Sequence, residues 1–282
     1  MKYHLLLSLS LHCLLVFSQK PAYKIFDKSG AVSSYDNFLE SAKKADLILF
    51  GEFHDNPIHH WLQLELVNEL HQSGVSLILG AEMFESDNQL IIDEYLAGYY
   101  NSDKLTSESK TWINFETDYL PLLEFSKTNG IDFIATNVPR RYASMVYKYG
   151  LDILSDLSDE AKSLMAPLPI KIDTSWQSYK EINTMAMGHG GANLASSQFF
   201  KDATMAHFIS NNLKKNYTFI HFHGAFHSQN YEGIYSYVKS KRPRLNILSI
   251  GCHEQEQLLE LKEGYKKSDY IILTPVRMTK TH

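Results

Sequence analysis

Glu52 and His54 stand two residues apart in Gly51-Glu52-Phe53-His54-Asp55-Asn56-Pro57-Ile58-His59-His60, directly after the apolar run Leu47-Ile48-Leu49-Phe50. An imidazole moves a proton near neutral pH while a carboxylate orients it or balances its charge. The same two groups also suit a divalent metal ion. Partners of matching type recur in Gly80-Ala81-Glu82-Met83-Phe84-Glu85 and in His221-Phe222-His223-Gly224-Ala225-Phe226-His227. A charged group at the end of a buried strand is costly unless paired or liganded, which favours a functional reading for Glu52, His54 and His227. The other members have plainer alternatives. Glu82 and Glu85 fit a site or the first turn of a helix, where the dipole favours carboxylates. His59 and His60 fit solvated or capping positions at a helix start, with His60 and Gln63 on one face. His221 and His223 point to the same side of a strand, as core or as site lining. His189, in Met187-Gly188-His189-Gly190-Gly191, is a lid candidate.

These groups need a scaffold. Apolar segments of strand length run from Asp46 to Phe50, Val75 to Leu79, Asp132 to Thr136, Thr218 to Phe222, Leu245 to Ile250 and Tyr270 to Leu273, as expected for buried parallel strands. Between the first two, Ile58, Trp61, Leu62, Leu66, Val67 and Leu70 recur at helical spacing. Asn56 is placed to cap that helix and Pro57 to occupy its first position. Strand, helix and strand make a βαβ unit. The expected fold is α/β, with a mostly parallel central sheet flanked by helices and a helical cap or insertion. Residues 19–282 read as one domain, with helical insertions at about 86–125 and 152–212 covering one end of the sheet. Ligands of such sheets bind beyond the carboxyl ends of the strands. The polar motifs follow four of those ends, the fourth being Asn137-Val138-Pro139-Arg140-Arg141 after Thr136.

The chain has 282 residues, 44% hydrophobic and 21% charged, with a net charge of −5. That is enough apolar content for a sizeable core. No stretch carries a Lys/Arg run of the kind nucleic acid binding needs. Lys2, the apolar stretch Leu5 to Phe17 and Val16-Phe17-Ser18 read as an export signal over residues 1–18, cleaved before Gln19. The apolar stretch is short for a membrane span. Cys13 follows His12 rather than a small residue, which argues against a lipid anchor there. Cleavage would leave Cys252 as the one thiol, with no internal disulfide.

Read in order, GEFHDNPIHHWLQLELVNEL, AEMFESDNQLIIDEYLAG, NVPRRYASMVYKYG, QFFKDATMAHFI and HFHGAFHSQNYEGI resemble the ChaN family of haem-binding, iron-regulated proteins within the Tiki superfamily. The resemblance runs from about residue 40 to the carboxyl terminus. It implies an α/β core, export to the periplasm or outer membrane, and a role in haem or iron acquisition. The superfamily is also similar to the Tiki metalloproteases and the erythromycin esterases. Carried over by motif, their active-site positions are Glu52 and His54, then Glu82 or Glu85, then His227. Phe226 stands where the family commonly has a small residue.

Two classes remain open. One is a binding protein for b-type, non-covalent haem, since the chain has no Cys-x-x-Cys-His motif. Haem needs an apolar slot and an axial ligand, and Tyr119, Arg140 and His60 are the candidate cofactor-binding residues. The other is a hydrolase acting on esters or peptides through Glu52, His54, Glu82, Glu85 and His227, with a divalent metal on His54, His227 and Glu82. A satisfied polar network without turnover is the third reading. Expected partners are haem, an outer-membrane haem receptor and a second copy of the chain, and no nucleic acid.

Overall fold

The computed structural model describes residues 20–189, 193–265 and 267–282. The expected export signal and Cys13 lie outside these residues, as does the side chain of His189. The strands are β1 (Lys24–Asp27), β2 (Val32–Ser33), β3 (Leu47–Glu52), β4 (Leu77–Glu85), β5 (Asp132–Asn137), β6 (Thr218–Gly224), β7 (Ile247–Gln255) and β8 (Tyr270–Pro275). They form one eight-stranded sheet of order β2-β1-β8-β7-β3-β6-β4-β5. β3 through β8 run parallel. The hairpin β1–β2 adds antiparallel to β8; Lys24-Ile25-Phe26-Asp27 and Val32-Ser33 are too short to carry a periodic signal.

Alternation along the strands divides the interior into two faces. Ile48, Phe50, Leu79, Ala81, Ile220 and Phe222 pack with the helix Pro57–Gln72 and the helices of residues 89–129. Leu47, Leu49, Ile78 and Phe219 pack on the opposite face against Met205, Ala206 and Ile209. Those three residues belong to the helix Leu194–Asn212, which is therefore a layer of the fold rather than a cover over its end. Asn56 caps the helix Pro57–Gln72 as expected, accepting from the backbone N–H groups of Ile58 and His59.

Several strands extend past their apolar stretches. β4 continues through Gly80 to Glu85, so Glu82 and Glu85 are strand residues and not a helix turn. The register with β5 shifts between Ala81 and Glu85. Burial on both sides, not hydrophobicity, holds these polar residues in the strand: all nine residues of β4 are buried.

Candidate functional site

Two carboxylate clusters meet at Gly224, the last residue of β6, which pairs across the ladder with Glu52 at the end of β3. Glu52 shares its strand face with Ile48 and Phe50, toward the helix Pro57–Gln72. Glu82 shares the opposite face with Ile78, toward the helix Leu194–Asn212.

Glu52 is 1% exposed. Its Oε1 accepts from His54 Nδ1 at 2.9 Å and from the Tyr119 hydroxyl at 2.7 Å. Its Oε2 accepts from Gln63 Nε2 and lies 3.5 Å from His60 Nδ1. Burial pushes this carboxyl up, but His60, His54 and Gln63 outweigh it and hold the group down at about 2. His60 sits between Glu52 and Asp118, and its Nε2 is 3.1 Å from the His54 carbonyl oxygen. Asn114 Nδ2 donates to that same carbonyl at 2.7 Å. Asn114, Asp118 and Tyr119 come from a π-helical turn, Phe115–Tyr119, and the residue before it.

On the other face, His227 lies between two carboxylates. Its Nε2 is 3.0 Å from Glu82 Oε1 and its Nδ1 is 2.5 Å from Asp202 Oδ1. All three residues are buried. Burial works against a charged imidazole, yet Glu82 and Asp202 together push His227 up to about 10. Glu82 is held well below the ordinary carboxylate range: burial opposes this, and the His227 charge overcomes it. Asp202 goes the other way, raised by burial despite His227.

Gly224 joins the two clusters. Its N–H donates to Glu82 Oε2 at 2.9 Å. A Cβ at this position would stand 2.8 Å from His54 Nε2 and 3.7 Å from Glu82 Oε2. His54, Glu82 and His227 thus converge, and His54 is the member that reaches solvent, with 32% of its side chain exposed. Burial lowers its basicity, but the hydrogen bond to Glu52 and the Glu82 charge raise it overall. A depression of ≈430 Å³ opens there, lined by His54, Gly224, Phe226, His227 and His282. Beside it lies a second, of ≈330 Å³, lined by Glu85, Lys110, Trp112, Ile113, Arg140 and His282. The His54 ring packs edge-on against Trp112 at 4.7 Å between the two.

Several expectations change. Between Glu82 and Glu85, Glu82 enters the convergence, and Glu85 lies in the neighbouring depression, 3.6 Å from Lys110 Nζ. Tyr119 is buried and its hydroxyl is spent on Glu52, which drives the phenol's ionisation strongly upward. A phenolate beside that carboxylate would be repelled, so Tyr119 is a support for Glu52 rather than an iron ligand. His60 is likewise enclosed by Glu52, Asp118 and Gln63. Arg140 is exposed at the rim. Among the described residues no group of three or more His, Cys, Asp or Glu side chains is arranged to hold a metal ion. Within the expected metal set His54, Glu82 and His227, Glu82 Oε1 and His227 Nε2 face each other, and Glu82 Oε2 takes the Gly224 N–H.

His221 and His223 are core residues. Thr136 donates to the Ala81 carbonyl, so His221 Nε2–H donates to Thr136 Oγ1 at 2.7 Å. His221 Nδ1 then accepts from His223 Nδ1–H at 3.0 Å, and His223 Nε2 accepts from Ser228 at 2.8 Å. One neutral proton arrangement satisfies the whole chain. Burial, the leading cause, keeps both rings uncharged, His223 down at about 3 and His221 well below its ordinary value.

Asp202 was the functional candidate missing from the sequence reading. It sits inside Phe199-Phe200-Lys201-Asp202-Ala203-Thr204-Met205, an acid in a mostly apolar helical stretch, and that misfit is its signal.

A search of the curated proteins finds no match. Among solved structures, the chain is similar to ChaN of Campylobacter jejuni, described as showing cofacial haem binding. The TM-score is 0.64 at 19% identity, covering 89% of this chain and 96% of that one. A Bacillus cereus protein aligns with a TM-score of 0.51 at 11% identity, covering 86% of this chain and 92% of that one. At such identities the likeness concerns the fold. The profile of the family described as haem-binding uptake, Tiki superfamily, ChaN matches residues 38–238. With more than two thirds of its length inside that match, the chain belongs to the ChaN family of haem-binding uptake proteins.

Proposed function

We propose that the chain binds b-type haem without covalent attachment at the carboxyl rim of its sheet, in the depression lined by Trp112 and Ile113. The observation that carries this reading is an apolar surface flanked by two cations. Ile113 is 88% exposed beside Trp112, with Arg140 and the Lys110–Glu85 pair lining the same depression. A flat apolar ring with two carboxylate arms has the complementary pattern. When bound, haem supplies an iron that takes an axial ligand from the protein. The chain's own part is to cover one ring face with Trp112 and Ile113 and to draw the propionates to Lys110 and Arg140. A second copy of the chain over the opposite face makes the homodimer of this proposal.

Titration with haemin tests it. A saturable Soret shift is expected, and Lys110→Glu with Arg140→Glu should weaken binding about tenfold, as for the loss of two partly exposed charge pairs. No Soret shift at stoichiometric haemin would overturn the proposal. Band position distinguishes imidazole from phenolate ligation. We further place the protein outside the cytoplasm, in the periplasm or at the outer membrane, passing haem from an outer-membrane receptor into iron acquisition; fractionation and growth on haemin as sole iron source test this step.

One observation supports a second reading, an esterase or peptidase. His54 is oriented by Glu52 and lines an open depression, the disposition of a general base. Ester turnover that disappears in His54→Ala is its test.

A further inference from the structure

The end of the sheet opposite the rim gathers cations from two separate stretches of the chain. Residues 213–217, Leu-Lys-Lys-Asn-Tyr, and 239–245, Lys-Ser-Lys-Arg-Pro-Arg-Leu, contain six cations and no acid in a chain of net charge −5. They are distant in sequence, and neither looks exceptional alone. The fold sets them together at the amino ends of β6 and β7, around one depression of ≈620 Å³ lined by Lys214, Lys215, Tyr217, Lys241, Arg242 and Arg244, with Asp46, which accepts from the Asn246 backbone N–H, as the acid of its lining.

Some of this charge has local work. Lys214 pairs with Asp132 at 2.6 Å, and Arg242 donates to the Ser210 carbonyl at 3.2 Å. Lys239 and Lys241 end the helix Ile234–Lys241, where its dipole favours cations. Helix capping leaves a surplus, however. Among the described residues Lys215, Lys241 and Arg244 have neither an ion pair nor a hydrogen bond from their side chains, and all three are exposed. Tyr217 is 40% exposed within the patch, with Lys214 Nζ over its ring at 5.6 Å. Leu213 and Leu245 are half-buried at its margin.

We propose that this face docks on an anionic lipid bilayer. Clustered cations meet lipid phosphates, and an aromatic ring with a polar tip suits the interfacial layer between headgroups and hydrocarbon. Tyr217 and the leucine margin favour a membrane over a purely polar polyanion, which would use the cations and leave the apolar groups idle. Because the strands are parallel, this orientation turns the Glu52 and Glu82 rim away from the bilayer, ~20 Å off along the six residues of β3. The docking does not depend on haem binding at that rim.

Co-sedimentation of the purified protein with phosphatidylcholine vesicles, with and without one third phosphatidylglycerol, tests the proposal. Binding is expected only to the anionic vesicles, and it should decline steeply with salt. Lys215→Gln, Lys241→Gln and Arg244→Gln should each weaken partition by about fivefold, the effect of one cation at a charged bilayer surface. Tyr217→Ala, which leaves every charge in place, should also weaken it. Equal binding to neutral vesicles, no binding to anionic ones, or unaltered binding by the triple Gln variant would each overturn the proposal. So would binding of heparin or RNA with the anionic vesicles ignored. Circular dichroism excludes unfolding of the variants, and the haemin titration reports separately on the rim.

Discussion

The two sides of Gly224 solve the same problem in different ways. Each holds a buried carboxylate beside an imidazole. Around Glu52 the charge is spread over His54, Tyr119, Gln63 and His60, and one of those partners reaches solvent. Around His227 the charge is confined to Glu82 and Asp202, all of it buried. A distributed arrangement tolerates the loss of one member, since the others still serve the carboxylate. A confined one does not, because removing His227 takes the imidazole partner from both Glu82 and Asp202 in the interior. The difference gives the His54 side access to solvent and encloses the His227 side.

The largest effect should therefore come from His227→Ala. Breaking a buried pair by deleting one partner costs ~3–5 kcal/mol, measurable by urea denaturation followed with circular dichroism. A loss below about 1 kcal/mol would mean that Glu82 and Asp202 are better solvated than their burial indicates. The same trio sets a pH dependence. His227 is raised from 6.5 to about 10 in the fold, so its contribution is complete below pH 6.5 and lost as the pH climbs toward about 10. Glu82 is depressed, so its contribution is present above its ordinary 4.5 and disappears as the pH falls toward its folded value. Wild-type stability should decline across the alkaline window, and His227→Gln should flatten that decline.

How much of this contrast could be read from residues alone depends on the kind of signal each side leaves. β3, the helix Pro57–Gln72 and β6 are legible because apolar runs and helical spacing are local, and Asn56-Pro57 marks a helix start in the chain itself. Glu52, His54 and His227 were legible as candidates because charge directly after an apolar strand is anomalous. The division into two clusters was not. It follows from strand parity and from the order in which β6 inserts between β3 and β4, a property of long-range pairing. Asp202 lies inside a helix whose register against the sheet decides whether an acid meets solvent or His227. The proton order through Thr136, His221 and His223 depends on a backbone carbonyl of β4, and no side-chain pattern announces that.

Tyr119→Phe tests the distributed side. The hydroxyl donates to a charged, buried oxygen, and such hydrogen bonds are worth ~1.5–3 kcal/mol. Because His54 still serves the same oxygen, the loss should fall toward the lower limit. A haemin titration on this variant sharpens the assignment: an unchanged Soret band is expected of a residue that supports Glu52, whereas loss of the band would return Tyr119 to the iron. Gly224→Ala acts on the junction itself, where the new methyl would stand 2.8 Å from His54 Nε2. Overpacking usually costs ~1–3 kcal/mol, and here about 1 kcal/mol suffices, because the His54 ring can swing outward. Its proton NMR titration should then move back toward an ordinary histidine, as contact with Glu52 and Glu82 weakens.

His54→Ala should disturb stability least. The ring is partly exposed, and Glu52 retains Tyr119, Gln63 and His60 after its removal. A change within about 0.5 kcal/mol is expected, as for a substitution that orphans no buried group. This is the counterpart of His227→Ala, another imidazole paired with a buried glutamate. If the two variants cost the same, exposure and shared partnership would not explain how the clusters differ, and the distinction between a tolerant side and a confined side would fall. If His54→Ala folds as the wild type does while altering the haemin spectrum or abolishing ester turnover, the exposed imidazole is the group this fold holds ready for chemistry.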